Sequence, residues 1–368
     1  MANIAIICDR EFFNPFDQRV YKEVVSMKNA GHNIEILTPH TSTEIRELEG
    51  MKIRCFSTNG PPGIVAYRLI KQALKGNYDL FYCHEFDPLV YSLVLKTFTK
   101  KPVIWDCHEY LIPMKRELQG NLAAALTEIV MKIAAPRVDH IVTVDNLLGR
   151  QLSKFGKVTV IPNYPTLIDF PENGKIPKEK PNLLYVGGLT HKRGAKVMLE
   201  AFNLVKKELD LSLTIAGGFY DSELEKWAYN FDKENNLNIN WLGWVNYRDL
   251  APIFSEASIG LCLLQNQKRY RNAISTKIFE YLIMGVPVIA SKGPLLENLV
   301  KKGNCGICID SENSELISRK IIELVNSNEY DEMGKSGKRF TRNKFIWEAR
   351  EDNLLNLITG IINQNSNV

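Results

Sequence analysis

Asn272-Ala-Ile-Ser275-Thr276-Lys277-Ile-Phe-Glu280-Tyr-Leu-Ile-Met284-Gly285-Val-Pro287-Val-Ile-Ala290-Ser291 decides the fold. Ser275 or Thr276 can cap a helix running to Met284, and Gly285 can end it. Pro287 then leads into a short β-branched run that reads as a buried strand. Working outward, the same alternation recurs. Around this segment the strand candidates are Leu183–Val186, Leu213–Ala216, Ile239–Leu242, Ile259–Leu263, Val286–Ala290 and Ile307–Ile309. Upstream they are Ile4–Cys8, Ile34–Thr38, Ile53–Phe56, Leu80–Cys83, Val103–Asp106, Ile141–Val144 and Val158–Ile161. Arg19–Ala30, Tyr67–Leu74 and Leu89–Phe98 between them show helical spacing. Strands alternating with helices predict parallel sheets wrapped on both faces.

The alternation is interrupted once. Pro165 to Pro181 holds four prolines, several lysines and little apolar pattern, and reads as a linker. A chain of 368 residues is also too long for one ordinary core. The expected class is therefore α/β, two doubly wound Rossmann-like domains in tandem. Residues 1–165 form the first, 166–181 the linker and 182–345 the second. A final helix and tail, 346–368, are expected to cross back to the first domain. Open α/β sheets bind ligands at the carboxyl ends of their strands, so two such sheets facing each other would make a cleft.

Several function classes are excluded. Hydrophobic content of 45% and a net charge of +4 belong to an ordinary globular protein, and no Arg-rich or aromatic-basic array calls for nucleic acid. The opening residues read as a strand and not as a signal peptide, and nothing approaches 18 uninterrupted apolar residues. Seven thinly spread cysteines suit a reducing, cytoplasmic setting. Cys305 and Cys308 have CxxC spacing, but no second pair lies nearby to complete a zinc site. No Gly-x-Gly-x-x-Gly follows the first strand, and Gly334-Lys335-Ser336 lacks the glycine and strand of a P-loop.

The helix beginning at Ile274–Thr276 offers free amides and a positive dipole end, suited to a phosphate. Glu280 lies one turn inside, on the face of Thr276, where a carboxylate can accept two ribose hydroxyls. Read from physics alone, the segment is equally an amphipathic helix with an exposed glutamate. Here, however, the sequence resembles the donor-binding helix of family 4 glycosyltransferases, retaining enzymes of the GT-B fold. In that family two glutamates eight positions apart bracket a nucleotide-sugar donor, the first at the transferred sugar and the second at the ribose. Glu280 matches the second. Asn272 stands at the first, a departure that removes a charge.

Other segments follow in the family's order. Leu184-Tyr-Val-Gly-Gly188-Leu-Thr-His-Lys-Arg193-Gly194 resembles the opening turn of the second domain, with Arg193 as the diphosphate-holding base and Gly188 replacing an upstream arginine. Ile215-Ala-Gly-Gly218 and Leu242-Gly-Trp244-Val245 resemble the next strand ends, and the backbone at Trp244 and Val245 would face the base. Phe345-Ile-Trp347-Glu resembles the start of the crossing helix. In the first domain, Phe16-Asp17-Gln-Arg19-Val with Ala30-Gly-His resembles a subgroup's opening, and Trp105-Asp106-Cys-His108-Glu109 its cleft-facing histidine motif. His108 is expected nearest the sugar, with Arg19, His84, Asp87 and Glu109 on the acceptor side.

The resemblance implies transfer of a sugar with departure of a nucleoside diphosphate and retention of configuration. Arg193, Lys277 and the amides of Ile274–Thr276 would stabilise the leaving phosphate. No metal or other cofactor is expected. UDP is the expected base by its frequency among relatives. The acceptor would be a glycan or lipid-linked molecule in cell-surface polysaccharide or glycoconjugate synthesis. Basic residues near Leu118–Ile133 and at Lys96–Lys101 add an expectation of peripheral contact with an anionic membrane. Two other readings stand beside this one: a GT-B nucleotide-sugar epimerase, and a non-catalytic nucleotide-sugar-binding subunit, which Asn272 motivates.

Overall fold

The computed structural model describes residues 1–368 except 14–15, 62, 173–175, 177–178, 266–273 and 367–368. Two compact units divide the chain, Met1–Asn163 with Arg350–Val368, and Tyr164–Ala349. Among the described residues no helix is long and apolar enough to cross a membrane.

In the first unit the strands are β1 (Asn3–Ile7), β2 (Asn33–His40), β3 (Glu44–Leu48), β4 (Met51–Ser57), β5 (Leu80–His84), β6 (Val103–Cys107), β7 (His140–Thr143) and β8 (Val158–Val160). Their order is β3-β4-β2-β1-β5-β6-β7-β8. All pairs are parallel except β3 with β4. The central strands are continuous buried runs, as a sheet covered on both faces requires. Strand β3 carries Glu44, Arg46 and Glu47 at the sheet edge, where charge discourages further pairing. Chain order reverses between β1 and β5, so the loops leaving those strands open the crevice of the sheet.

The second unit holds β9 (Asn182–Val186), β10 (Ser212–Ala216), β11 (Asn240–Gly243), β12 (Ile259–Cys262), β13 (Val288–Ser291) and β14 (Gly306–Ile309). They lie in the order β11-β10-β9-β12-β13-β14, all parallel. The switch point falls between β9 and β12.

Besides strand β3, which the sequence reading does not contain, two segments differ from it. The stretch expected as a linker packs into the second unit. Thr166 Oγ1 donates to Asp169 Oδ2 at 2.6 Å, and fully buried Phe170 meets Tyr247 and Phe254 edge-on at 5.4 and 5.5 Å. One aromatic anchor is enough to tie a proline-rich segment down, and it leaves no periodic signal. The last helix also begins later than Trp347. Trp347 stays with the second unit, its N–H donating to Pro165 O at 2.9 Å. Glu351–Ser366 forms the helix that returns to the first unit, burying Leu354, Ile358 and Ile361 on one face while Ser26 Oγ donates to Glu351 at 2.8 Å.

Candidate functional site

In the first unit, the crevice gathers a buried polar network. Asp106 ends β6 with no exposed surface. Arg19, in the first turn of helix Gln18–Asn29, reaches its Oδ2 through Nε at 2.9 Å and through its second guanidinium arm at 2.8 Å. The same guanidinium binds Glu23 at 3.1 Å and donates to Ile161 O at 3.0 Å. Tyr82 OH donates to Asp106 at 3.2 Å. Burial would favour a neutral Asp106, but Arg19 overrides it and holds the carboxyl well below the usual carboxylate range. Glu23 goes the other way. Burial pushes it well above the ordinary value, and an arginine already committed to Asp106 does not restore it.

His108 stands at the mouth of this network. Its Nδ1 lies 3.0 Å from Glu85 Oε1 and 3.4 Å from Asp106 Oδ1, and the His108 backbone N–H donates to Glu85 Oε1 at 2.9 Å. Burial alone would disfavour charge on the ring, yet the two carboxylates raise its titration well above the ordinary histidine range. Arg10 lies 3.3 Å from Nε2. Arg10 can only donate, so this contact is a hydrogen bond while Nε2 carries a lone pair and becomes two donors facing an incoming oxygen once the ring is protonated. Asp9, on the same loop, is raised to about 6 by burial.

The residues expected on the acceptor side separate. Arg19 is 2% exposed and supports the network from beneath. His84 is equally buried, 3.5 Å from Glu23, and burial lowers its titration to about 4, which keeps it neutral. Asp87 lies outside the network, in the first turn of helix Phe86–Thr99, where an acid complements the dipole. Glu109 is exposed at the rim, close enough for its charge to act on Arg10. Glu85 is the residue the sequence reading passed over. It joins β5 to the helix at φ 67°, ψ −159°, a strained backbone for a residue with a Cβ, and that geometry turns its carboxylate to His108.

In the second unit the switch-point loop Gly187–Gly194 follows β9. Thr190 caps the turn by accepting from Arg193 N, and Arg193 reaches Gly188 O at 3.3 Å. Gly194, at φ 76°, must be glycine, since a Cβ would stand 2.1 Å from Leu263 O. Helix Thr276–Ile283 starts beside it. Ser275 takes the N-cap position with extended backbone but makes no side-chain cap bond; its carbonyl accepts from Ile278 N at 3.0 Å, and among the described residues the amides of Thr276 and Lys277 have no cap. Ser275, Lys277 and Arg193 all lie close to Cys262 at the end of β12. Burial raises that thiol's titration, and all three oppose the rise.

Lys277 carries the least satisfied charge here. Its Nζ is buried, lies 4.1 Å from the Tyr185 ring centroid and has no hydrogen-bond partner among the described residues. It would be 3.2 Å from a Cβ on Gly187. Among the described residues no carboxylate pairs with it or with Arg193. Glu280 is 4% exposed, not the exposed glutamate of the plainer reading, and its charge helps burial raise the titration of the buried Tyr247 hydroxyl. Trp244 is 58% exposed, so it is no core aromatic. It lies over Gly218, with Tyr220 5.5 Å away, while Val245 is half-buried. Asn272 lies outside the described residues. Cys305 and Cys308 are free thiols that burial raises to about 12, which leaves them unreactive.

Among the described residues, ligand atoms of His84, Asp106 and His108 lie within 4.8 Å of one another. They suit a cation poorly. Arg19 and Tyr82 already occupy Asp106 Oδ2, and the Arg19 guanidinium places a positive charge against the same carboxylate.

The model for glycosyl transferases group 1 matches residues 168–340, and that for glycosyltransferase family 4 matches residues 18–164. An uncharacterised glycosyltransferase of Methanocaldococcus jannaschii is 26% identical over 294 residues, covering 77% of this chain and 76% of its own. Sucrose-phosphate synthase of Thermosynechococcus elongatus superposes with a TM-score of 0.77 at 18% identity, over 99% of this chain and all of that one. Anabaena HepE, solved with UDP and glucose, gives 0.74 at 12% identity over 98% of this chain and all of its own.

Proposed function

Since this chain belongs to the family 4 glycosyltransferases, enzymes of the GT-B fold, we propose that it moves a sugar from a UDP-sugar to a glycan or lipid-linked acceptor with retention of configuration. The observation that carries the donor assignment is the pair of cations at the β9–β12 switch point. Arg193 and Lys277, which has no hydrogen-bond partner among the described residues, flank helix amides that no described side chain caps. A diphosphate answers all three. Gly188, where the family has arginine, leaves one cation fewer on the loop, and Lys277 supplies the missing charge from the helix. Glu280 takes the ribose, Trp244 and Val245 the base, and Asn272 the transferred sugar. As the sugar gains oxocarbenium character, the fixed positive potential lowers the cost of charge on the leaving diphosphate.

The first unit serves the acceptor side. His108, held as a cation by Glu85 and Asp106, donates to a sugar or acceptor hydroxyl, while Asp106, Arg19 and His84 hold its geometry. No divalent cation is required, and turnover with excess EDTA tests this. The setting is cytoplasmic cell-surface polysaccharide or glycoconjugate synthesis, with peripheral contact at an anionic membrane.

The test is thermal unfolding with UDP, GDP, ADP, CMP, dTDP and NAD, followed by turnover of the matching nucleotide-sugar. UDP should raise the transition of the second unit, and Glu280→Ala should remove the effect. A chain that responds only to NAD, or to none of them, would overturn the assignment.

A further inference from the structure

Helix Leu111–Ala134 is amphipathic in the wrong sense for a surface helix. Before Gly120 it buries Leu111 in the core, with Ile112 and Met114 packed beside it, but after Gly120 its inner face is built from small residues and one methionine. Ala124, Thr127, Met131 and Ala134 are buried, and Met131 and Ala134 join the core formed by Leu89, Trp105 and Ile141. The large aliphatics face outward. Leu118, Leu122, Leu126, Ile129 and Ile133 are 65%, 75%, 54%, 52% and 49% exposed. The spacing of four, three and four from Leu122 to Ile133 places those four along one face. Single exposed leucines are ordinary, but an aligned run of four is not. Gly120, at φ 89°, ψ 179°, breaks the helix between Leu118 and Leu122, so Leu122–Ile133 is the continuous part of the stripe.

The rim of the stripe is basic. Residues 111–137 carry Lys115, Arg116, Lys132 and Arg137 against Glu117 and Glu128. Glu128 is already held by Lys132 at 2.8 Å, and Lys154 and Arg116 are also near enough for their charge to act on it. A second copy of the chain packed two-fold on this face would bring basic rim against basic rim. An anionic lipid surface meets both features, since acyl chains take the aliphatic stripe and headgroups the lysines and arginines.

We propose that the outward face of helix Leu111–Ala134 is a membrane-docking surface that inserts Leu122, Leu126, Ile129 and Ile133 among the acyl chains of an anionic bilayer. This gives the membrane contact proposed above its location, and it does not depend on donor chemistry.

The experiment is co-sedimentation of the full chain with phosphatidylcholine vesicles, with and without phosphatidylglycerol, at low and high salt. The wild type should sediment with the anionic vesicles. Leu122→Ser/Leu126→Ser/Ile129→Ser should weaken partitioning by on the order of tenfold or more. Arg116→Gln/Lys132→Gln should weaken it chiefly at low salt. Because the native cysteines are buried or half-buried, Leu126→Cys carrying an environment-sensitive fluorophore gives a second readout, a blue shift on anionic vesicles. Failure of the wild type to sediment with them, or unchanged binding by the triple variant, would overturn the proposal. So would a concentration-dependent dimer in sedimentation velocity that the triple variant abolishes. The UDP-induced thermal shift, measured on the same samples, should be equal in all variants. Its absence would count against the donor assignment and leave a variant-sensitive vesicle binding standing.

Discussion

Replacing Lys277 by methionine should move stability and donor affinity in opposite directions. The side chain keeps its length and loses its charge. In the free protein Nζ is buried without a hydrogen-bond partner among the described residues, and an unsatisfied buried donor of this kind costs about 1–3 kcal/mol. Its one visible compensation is the Tyr185 ring at 4.1 Å, a contact that contributes about 0.5–2 kcal/mol. Lys277→Met should therefore leave the unliganded second unit unchanged or more stable by up to about 2 kcal/mol. With a diphosphate bound the sign reverses. A charge-assisted hydrogen bond contributes about 1.5–3 kcal/mol, so UDP should bind roughly 10- to 150-fold more weakly. At a concentration of 100 times the wild-type Kd, UDP stabilises the wild type by about 2.7 kcal/mol, and a variant tenfold weaker by about 1.4 kcal/mol. In a unit of this size the UDP-induced rise in Tm should fall by roughly 3–5 °C. Differential scanning calorimetry with and without UDP reads both quantities. A variant that loses stability without ligand and keeps the full UDP shift would refute the reasoning, because Lys277 would then be a structural cation.

Arg19→Met should destabilise the first unit by about 3–5 kcal/mol in urea unfolding, because it leaves Asp106 and Glu23 buried without their cation. Adding Asp106→Asn should recover part of that loss. The buried His84 titrates near 4 in the folded chain, so between about pH 6.5 and 4 the unfolded chain binds the extra proton. Stability should fall as pH drops through that window, by up to roughly 3 kcal/mol, and His84→Gln should flatten the slope of unfolding free energy against pH. Phe170→Ala should cost about 3–5 kcal/mol in the second unit, whereas a true linker residue would cost nothing measurable in the same urea titration.

The sheets were legible because their strands are short apolar runs, which a parallel sheet covered on both faces demands. The helix ending at Gly285 and the strand after Pro287 were legible from capping chemistry. Strand β3 was not, since Glu44, Arg46 and Glu47 suit a solvent edge and resemble a loop. Phe170 was hidden for a different reason: a single anchor in a proline-rich stretch has no period. In the site, Arg193 was expected from its resemblance to the family's opening turn, and His108 from the family's histidine motif and its place after a parallel strand. Their partners could not be picked out. Glu85 works through a positive φ that nothing local announces, and Glu23 and Arg19 meet Asp106 only once helix and strand are packed. The burial of Glu280 follows likewise from Tyr247, far away in sequence. The outward aliphatics at Leu122–Ile133 follow the period of a helix, but only the structure shows which face is turned to the core.

Calorimetric titration of UDP into the wild-type protein and Arg193→Ala tests the donor claim most directly. The account predicts one UDP per chain for the wild type, with affinity at least about tenfold weaker in the variant, which loses a charge-assisted phosphate contact. Uridine, which lacks the diphosphate, should bind both proteins alike. UDP binding that is equal in the two proteins, or absent from the wild type, would contradict it.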